Sequence, residues 1–172
     1  AFTKCTSLTS VTIPDSVTTI GSYAFQQCTA LTEINVGANN TNYISVGGVV
    51  FDKNITSLKI YPAGKAETNY TVPSTVTKIE GYAFGYSENL TKVVLPAGLT
   101  NLASNAFGYC KNIVEYDFTN CTSVPTLGST ATFTSINANC KMYVPDELYD
   151  TWVAATNWSN FADYIIKASE RS

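Results

Sequence analysis

The sequence predicts an α/β solenoid. Parallel strands line one side, short helical turns and loops line the other, a β-hairpin is inserted part-way, and a helical cap ends the array. Three observations predict this. Phe2, Cys5, Leu8, Val11 and Ile13 recur 23 positions later as Phe25, Cys28, Leu31, Ile34 and Val36. Pro73, Val76, Ile79, Ala83, Phe84 and Leu90 recur, again 23 later, as Pro96, Leu99, Leu102, Ala106, Phe107 and Ile113. After Pro145 the period stops and helix-type spacing begins. A fixed period of this length marks a stack of supersecondary units, each covering the apolar face of the next.

Within one unit, Leu8, Val11 and Ile13 follow the L-x-x-V-x-I spacing of a leucine-rich-repeat strand. Alternation turns Val11 and Ile13 inward and Ser10 and Thr12 outward. Pro14 removes a ladder donor and ends the strand. Val17 and Ile20 return to the core, Gly21 permits a turn, and Ser22–Phe25 forms a short helical or 3-10 turn with Ala24 and Phe25 inward. Strands of the same type are expected at Tyr70–Pro73, Leu90–Leu95, Ile113–Phe118 and Met142–Pro145.

The array is interrupted. Phe25 and Phe84 stand 59 residues apart, one regular period and one carrying 13 extra residues. The excess falls in Gly37–Tyr70, where GANNTNY reads as a loop, Gly47-Gly48 as a turn, and VVF and ITSLKIYP as strands of a hairpin. At the far end, Leu148, Trp152 and Ala155 have helix spacing, with Asp146 as N-cap. SNFADYIIK predicts a second short helical turn. The expected division is residues 1–145 as the array, with the hairpin insertion at about 37–70, and 146–172 as its cap.

Composition narrows function. The chain has 172 residues, 45% hydrophobic and 13% charged, about half the usual charged share. Thr, Ser, Asn and Tyr supply the polar surface, which suits a neutral binding face. Net charge is −3 with no Lys/Arg cluster, which excludes nucleic acid as the natural partner. No stretch is apolar enough to span a bilayer. The chain opens inside a repeat at Ala1-Phe2, so the N-terminus reads as truncated and the lack of a visible signal peptide fixes no compartment.

The five cysteines make an odd set. Cys5, Cys28 and Cys110 each follow a repeat Phe by three residues, with Ser87 in that place after Phe84. Stacked free thiols in the core are the expectation. Equivalent positions in adjacent turns lie roughly 5 Å apart, so a disulfide between rungs is also within reach. Cys121 and Cys140 lie outside this phase and their state stays open. With no His and no CxxC pair, neither a metal centre nor a His-based catalytic arrangement is expected. No cofactor is implied.

At these residues the chain resembles the BspA-type leucine-rich repeat family. IPDSVTTIGSYAFQQCTALTEI and VPSTVTKIEGYAFGYSENLTKVVLP resemble its IPxSVxxIGxxAFxxCxxLxxI pattern, GGVVFDKNITSLKIYPAGK its interleaved hairpin module, and CKMYVPDELYDTWVAATNWSNFADYI a C-terminal cap of bacterial surface proteins. The resemblance implies a right-handed β-α superhelix in a secreted or surface-attached bacterial protein. It implies non-catalytic binding or adhesion to host or bacterial surface proteins, or to glycans. It carries no catalytic residues. A structural spacer, or the accessory module of a larger surface enzyme, is the alternative.

The candidate site is the outward face of the strands. By phase it comprises Ser10 and Thr12, Glu33 and Asn35, Lys92 and Val94, Glu115 and Asp117, and Lys141 and Tyr143. Concave faces of repeat arrays are the usual recognition surfaces, and an ordinary solvated sheet is the competing reading. Two lesser candidates are the tyrosines around the Ala-Phe turns (Tyr23, Tyr82, Tyr86, Tyr109), as a stacking platform or as packing between turns, and Asn39-Asn40, as an oxygen-lined cation loop. Glu115 and Asp117 share a strand face but lack a setting that would tune them as catalytic carboxylates.

Overall fold

A computed structural model describes all residues, 1–172. The first two turns contribute β1 (Ser10–Ile13) and β2 (Glu33–Val36), a parallel pair in register Ser10 to Glu33 and Ile13 to Val36. The interruption follows as β3 (Tyr43–Val46), β4 (Val49–Asp52) and β5 (Ser57–Ile60), successive strands antiparallel to one another. The β3–β4 turn is Gly47-Gly48, both at positive φ, +57° and +80°, which glycine adopts without steric cost.

The remaining strands are β6 (Asn69–Thr71), β7 (Lys78–Ile79), β8 (Lys92–Val94), β9 (Asn101–Leu102), β10 (Glu115–Asp117), β11 (Thr126–Leu127), β12 (Lys141–Val144) and β13 (Ile165–Lys167). They sort into two sheets. One runs β13-β12-β10-β8-β6, all parallel, and carries the repeat strands. The other runs β11-β9-β7-β5-β4-β3, parallel from β11 to β5 and antiparallel beyond. This second sheet goes beyond the sequence expectation. Ile79, Leu102 and Leu127 do return to the core, as Ile20 was expected to, but through short paired strands.

The helical content is small. Ser22–Phe25 forms successive i→i+3 turns, not a 3-10 helix; Ala24 N–H donates to Gly21 O and Gln26 N–H to Tyr23 O. Its equivalent in the last turn, Thr130–Phe133, does form the expected 3-10 helix, with the Ser129 hydroxyl accepting the Ala131 N–H. These windings stay short because a left-handed residue stands two places after each repeat Phe: Lys4, Gln27, Tyr86, Tyr109 and Ser135 all have φ between 60° and 65°. That conformation ends right-handed winding at once. The single α-helix is α1 (Tyr149–Ala154), preceded by a 3-10 turn Asp146–Leu148. Asp146 is not the N-cap of α1; its carboxylate accepts the Ser169 N–H at 3.0 Å. The expected second helical turn is the 3-10 segment Trp158–Tyr164, which gives way to β13.

An aromatic ladder runs through the core. Ring centroids are 5.3 Å apart for Phe2–Phe25, 5.1 Å for Tyr61–Phe84, 4.8 Å for Phe84–Phe107 and 5.7 Å for Phe107–Phe133. Tyr61, 23 residues before Phe84, therefore takes the Phe position in the stretched turn. The backbone follows the same steps: Phe2 N–H donates to Ala24 O (2.7 Å), Tyr61 to Ala83 O (2.7 Å) and Phe84 to Ala106 O (2.9 Å). Each such pair is worth about 0.5–1.5 kcal/mol beyond the area it buries.

The polar residues of the turns repeat their bonds too. Asn89, Asn112 and Asn137 each donate a side-chain N–H to a backbone carbonyl of the turn before, at 2.7–2.8 Å. The Cys28 thiol donates to Phe2 O and the Cys110 thiol to Phe84 O, both at 2.9 Å. All five cysteines are free, so no disulfide joins the rungs.

Trp152, Trp158 and Phe161 are buried against the last turn. Trp158 packs edge-on to Phe118 at 5.5 Å and donates its indole N–H to Pro125 O at 2.7 Å.

Candidate binding face

Two rows of outward side chains follow from the register. The first reads Ser10–Glu33 on the short sheet and Asn69–Lys92–Glu115–Lys141 on the five-stranded one. The second reads Thr12–Asn35, then Thr71–Val94–Asp117–Tyr143–Ile166. All ten predicted residues thus fall on outward rows, but on two separate sheets. Asn69 and Thr71 were missed, although they stand 23 positions before Lys92 and Val94 and so were legible by phase.

The two sheets are separate because the hairpin docks where β2 would pair with its next parallel neighbour. Ile34 N–H donates to Gly48 O at 2.9 Å, and Val36 N–H donates to the Ser45 hydroxyl at 3.1 Å. A Cβ on Gly48 would lie 2.9 Å from the Cβ of Glu33. Only glycine allows the turn to sit this close.

Exposure differs along the face. Ser10, Thr12, Glu33, Asn35 and Lys141 are exposed, while Lys92, Val94 and Glu115 are half-buried. Asp117 and Tyr143 are buried, against the expectation that both face solvent. The reason is the C-terminal segment, which adds β13 beside β12 and lays Arg171 over both residues. The Arg171 guanidinium lies 2.7 Å from Asp117 Oδ2, 3.2 Å from Glu115 Oε1 and 4.3 Å above the Tyr143 ring centroid. Arg171 had no place in the repeat phase, so no sequence signal pointed to it.

The charges at the β8–β10 centre of the face are paired. Lys92 Nζ lies 2.8 Å from Glu115 Oε1. Burial alone would raise the Asp117 pKa. The Thr119 hydroxyl at 2.6 Å, the Arg171 guanidinium and the Thr119 N–H at 3.0 Å outweigh it and hold the carboxyl below its ordinary value. Both carboxylates are engaged by cations, so neither Glu115 nor Asp117 is left as a free base for paired-carboxylate hydrolysis. No group of three or more His, Cys, Asp or Glu is placed to hold a metal.

The lesser candidates resolve differently. Asn40 is fully buried as a clamp: its amide donates to Pro14 O and Val17 O (2.9 and 3.0 Å) and its side-chain oxygen accepts from Asn42 and Tyr43 N–H (both 2.8 Å). Lys53 Nζ takes the Asn40 carbonyl at 2.6 Å. Those oxygens are committed, so the loop does not form a cation cradle. Among the tyrosines, Tyr23 packs on Tyr82 at 4.9 Å and Tyr86 stacks on Tyr109 at 4.6 Å. They meet as pairs, and only Tyr23 is largely exposed, at 58%. An apolar cleft of about 440 Å³ opens at the β1 end, lined by Phe2, Val11, Ile13, Val17, Ile20 and Phe25 among others.

The stacked parallel strands and turn ladders define a leucine-rich-repeat protein. The chain belongs to the BspA type leucine rich repeat family, whose repeat matches in six copies across residues 1–66 and 62–150. No curated protein matches the sequence. Among solved structures, it is similar to the pneumococcal vaccine antigen PcpA (24% identity, 80% of this chain and 39% of that one, TM-score 0.68). A leucine-rich repeat protein from Eubacterium ventriosum matches at 26% identity over 81% of this chain and 42% of that one, TM-score 0.62. A leucine rich cell surface protein from Faecalibacterium prausnitzii matches at 20% identity over 95% of this chain and 49% of that one, TM-score 0.64. The chain therefore spans less than half the length of these proteins. No helix is long and apolar enough to cross a membrane.

Proposed function

We propose that this chain is a non-catalytic binding module of a bacterial surface or secreted protein, acting outside the cell, and that its strand face recognises a protein or glycan partner on a host or bacterial surface. The observation that carries this reading is the exposed group Ser10, Thr12, Glu33 and Asn35 on the β1–β2 pair, together with the half-buried ion pair Lys92–Glu115 on the five-stranded sheet. Hydroxyl, carboxylate and amide groups on a rigid ladder suit hydrogen bonding to a polar partner. Family membership supports it, as does the similarity to PcpA, named a vaccine antigen, and to the F. prausnitzii cell surface protein.

Residues 1–145 act in this reading as the recognition array and 146–172 as its cap. Burial of Trp152, Trp158 and Phe161 on the last turn supports the cap role, since a repeat array needs its terminal apolar face covered. The test is a screen of the chain against immobilised matrix proteins and glycans. It is repeated with Glu33→Ala/Asn35→Ala and with Lys92→Ala/Lys141→Ala. Loss of the captured partner in either variant supports the face; retention in both rejects it.

A further inference from the structure

The C-terminal end of the strand face already holds a ligand, the chain's own guanidinium. Arg171 sits in a cradle of three side chains from neighbouring strands. Glu115 and Asp117 lie two apart on β10, and Tyr143 lies beside Asp117 on β12. Carboxylate oxygens meet the fork of donors while an aromatic ring receives the flat face, the combination that favours Arg over Lys.

The cradle is built independently of its occupant. Asp117 is fixed by the Thr119 N–H and hydroxyl, Glu115 by Lys92, and Tyr143 by its place within β12. The segment that delivers Arg171 is held lightly by comparison. Past β13, the 3-10 turn Ala168–Glu170 buries no side chain, and it is tied back through the single carboxylate of Asp146, which accepts the Ser169 N–H at 3.0 Å and is also engaged by the Ser169 side chain and the Ala168 backbone. A well-formed site closed by an exposed, lightly tied strap is poised for exchange.

We propose that Glu115, Asp117 and Tyr143 form a guanidinium-recognition site, that the partner it fits is a protein segment presenting an arginine, and that Arg171 is an internal occupant which such a segment displaces. This rests on the strand-face reading above and names the partner chemistry at one end of that face. Exchange of one guanidinium for another leaves the charge of the cradle unchanged, so the carboxylates are never left unpaired.

The test uses the full chain and N-acetyl-arginine amide as probe, followed through the Tyr143 ring and Glu115 amide resonances. Arg171→Ala opens the cradle and is expected to bind the probe saturably, with a Kd at least tenfold lower than wild type. N-acetyl-lysine amide is expected to bind Arg171→Ala more weakly. Adding Asp117→Asn or, as a second and more exposed change, Glu115→Gln is expected to abolish binding. Arg171→Ala binding no tighter than wild type, or binding that survives both added changes, overturns the proposal. The probe reports on this cradle alone, so its failure leaves the screen with the Glu33/Asn35 variant to judge the wider face.

Discussion

The Arg171 guanidinium lies 4.3 Å above the ring of Tyr143, joining the last residues of the chain to a strand that the repeat alone would leave open to water. With Asp117 beneath the same cation, the contact turns part of a solvated sheet into a buried polar cluster.

This cluster predicts a pH dependence. Asp117, Asp52 and Glu80 all have pKa values lowered in the folded state; in each, burial pushes upward and hydrogen bonds and cations push further down. The unfolded chain therefore binds protons first as pH falls, and stability follows the deprotonated forms. It is expected to be full above the ordinary values of 3.8 and 4.5 and to fall progressively below them. Chemical denaturation between pH 3 and 7 checks this, and Asp117→Asn should flatten the acid limb.

Two glycines predict opposite responses. A Cβ on Gly64 would meet the Ala30 carbonyl carbon at 2.6 Å and Thr29 O at 2.7 Å, backbone atoms that cannot step aside. Gly64→Ala is expected to cost about 1–3 kcal/mol or more by overpacking. Gly21 has nothing within 4 Å and no positive φ. Gly21→Ala is expected to stabilise by about 0.4–1 kcal/mol through the unfolded state. Urea midpoints of the two variants decide the pair.

The Cys-phase ladder has one defective rung. Ser87 Oγ is buried without a partner, where Cys28 and Cys110 each reach a carbonyl of the turn before. A thiol's longer C–S bond reaches further toward such a carbonyl than the hydroxyl's C–O bond does. Ser87→Cys is expected to raise stability by about 0.5–2 kcal/mol, or about 2–4 °C per kcal/mol in Tm for a chain of this size. A lowered Tm would contradict the ladder.

Thiol chemistry gives an independent count. Burial raises the pKa values of Cys110, Cys121 and Cys140 to about 12, and Cys28 is raised by the same cause. Only Cys5 is exposed. At pH 8 a disulfide reagent should label one thiol of the native chain quickly and all five only after unfolding.

The sequence carried the parts of this structure that repeat. Strand positions, outward and inward rows, the interruption and the Cys phase all follow from a 23-residue spacing read against alternation. It hid what depends on contacts across turns or on local backbone geometry. Beyond β5 the second sheet consists of two-residue strands such as Lys78–Ile79, too short for strand alternation to register. The left-handed residues that cut the helical turns short, Gln27 and Tyr109 among them, carry no glycine to announce them. The split of the candidate face came from where Gly48 docks, and the burial of Asp117 and Tyr143 from an arginine far along the chain.

The central claim is that recognition runs through the strand face and not through the tyrosines of the turns. The most direct measurement compares binding of the captured partner by Glu33→Ala/Asn35→Ala and by Tyr86→Ala/Tyr109→Ala, with both variants confirmed folded by circular dichroism. The strand-face account predicts at least a tenfold weaker Kd for the first and an unchanged Kd for the second. A tenfold loss confined to the tyrosine variant would contradict it.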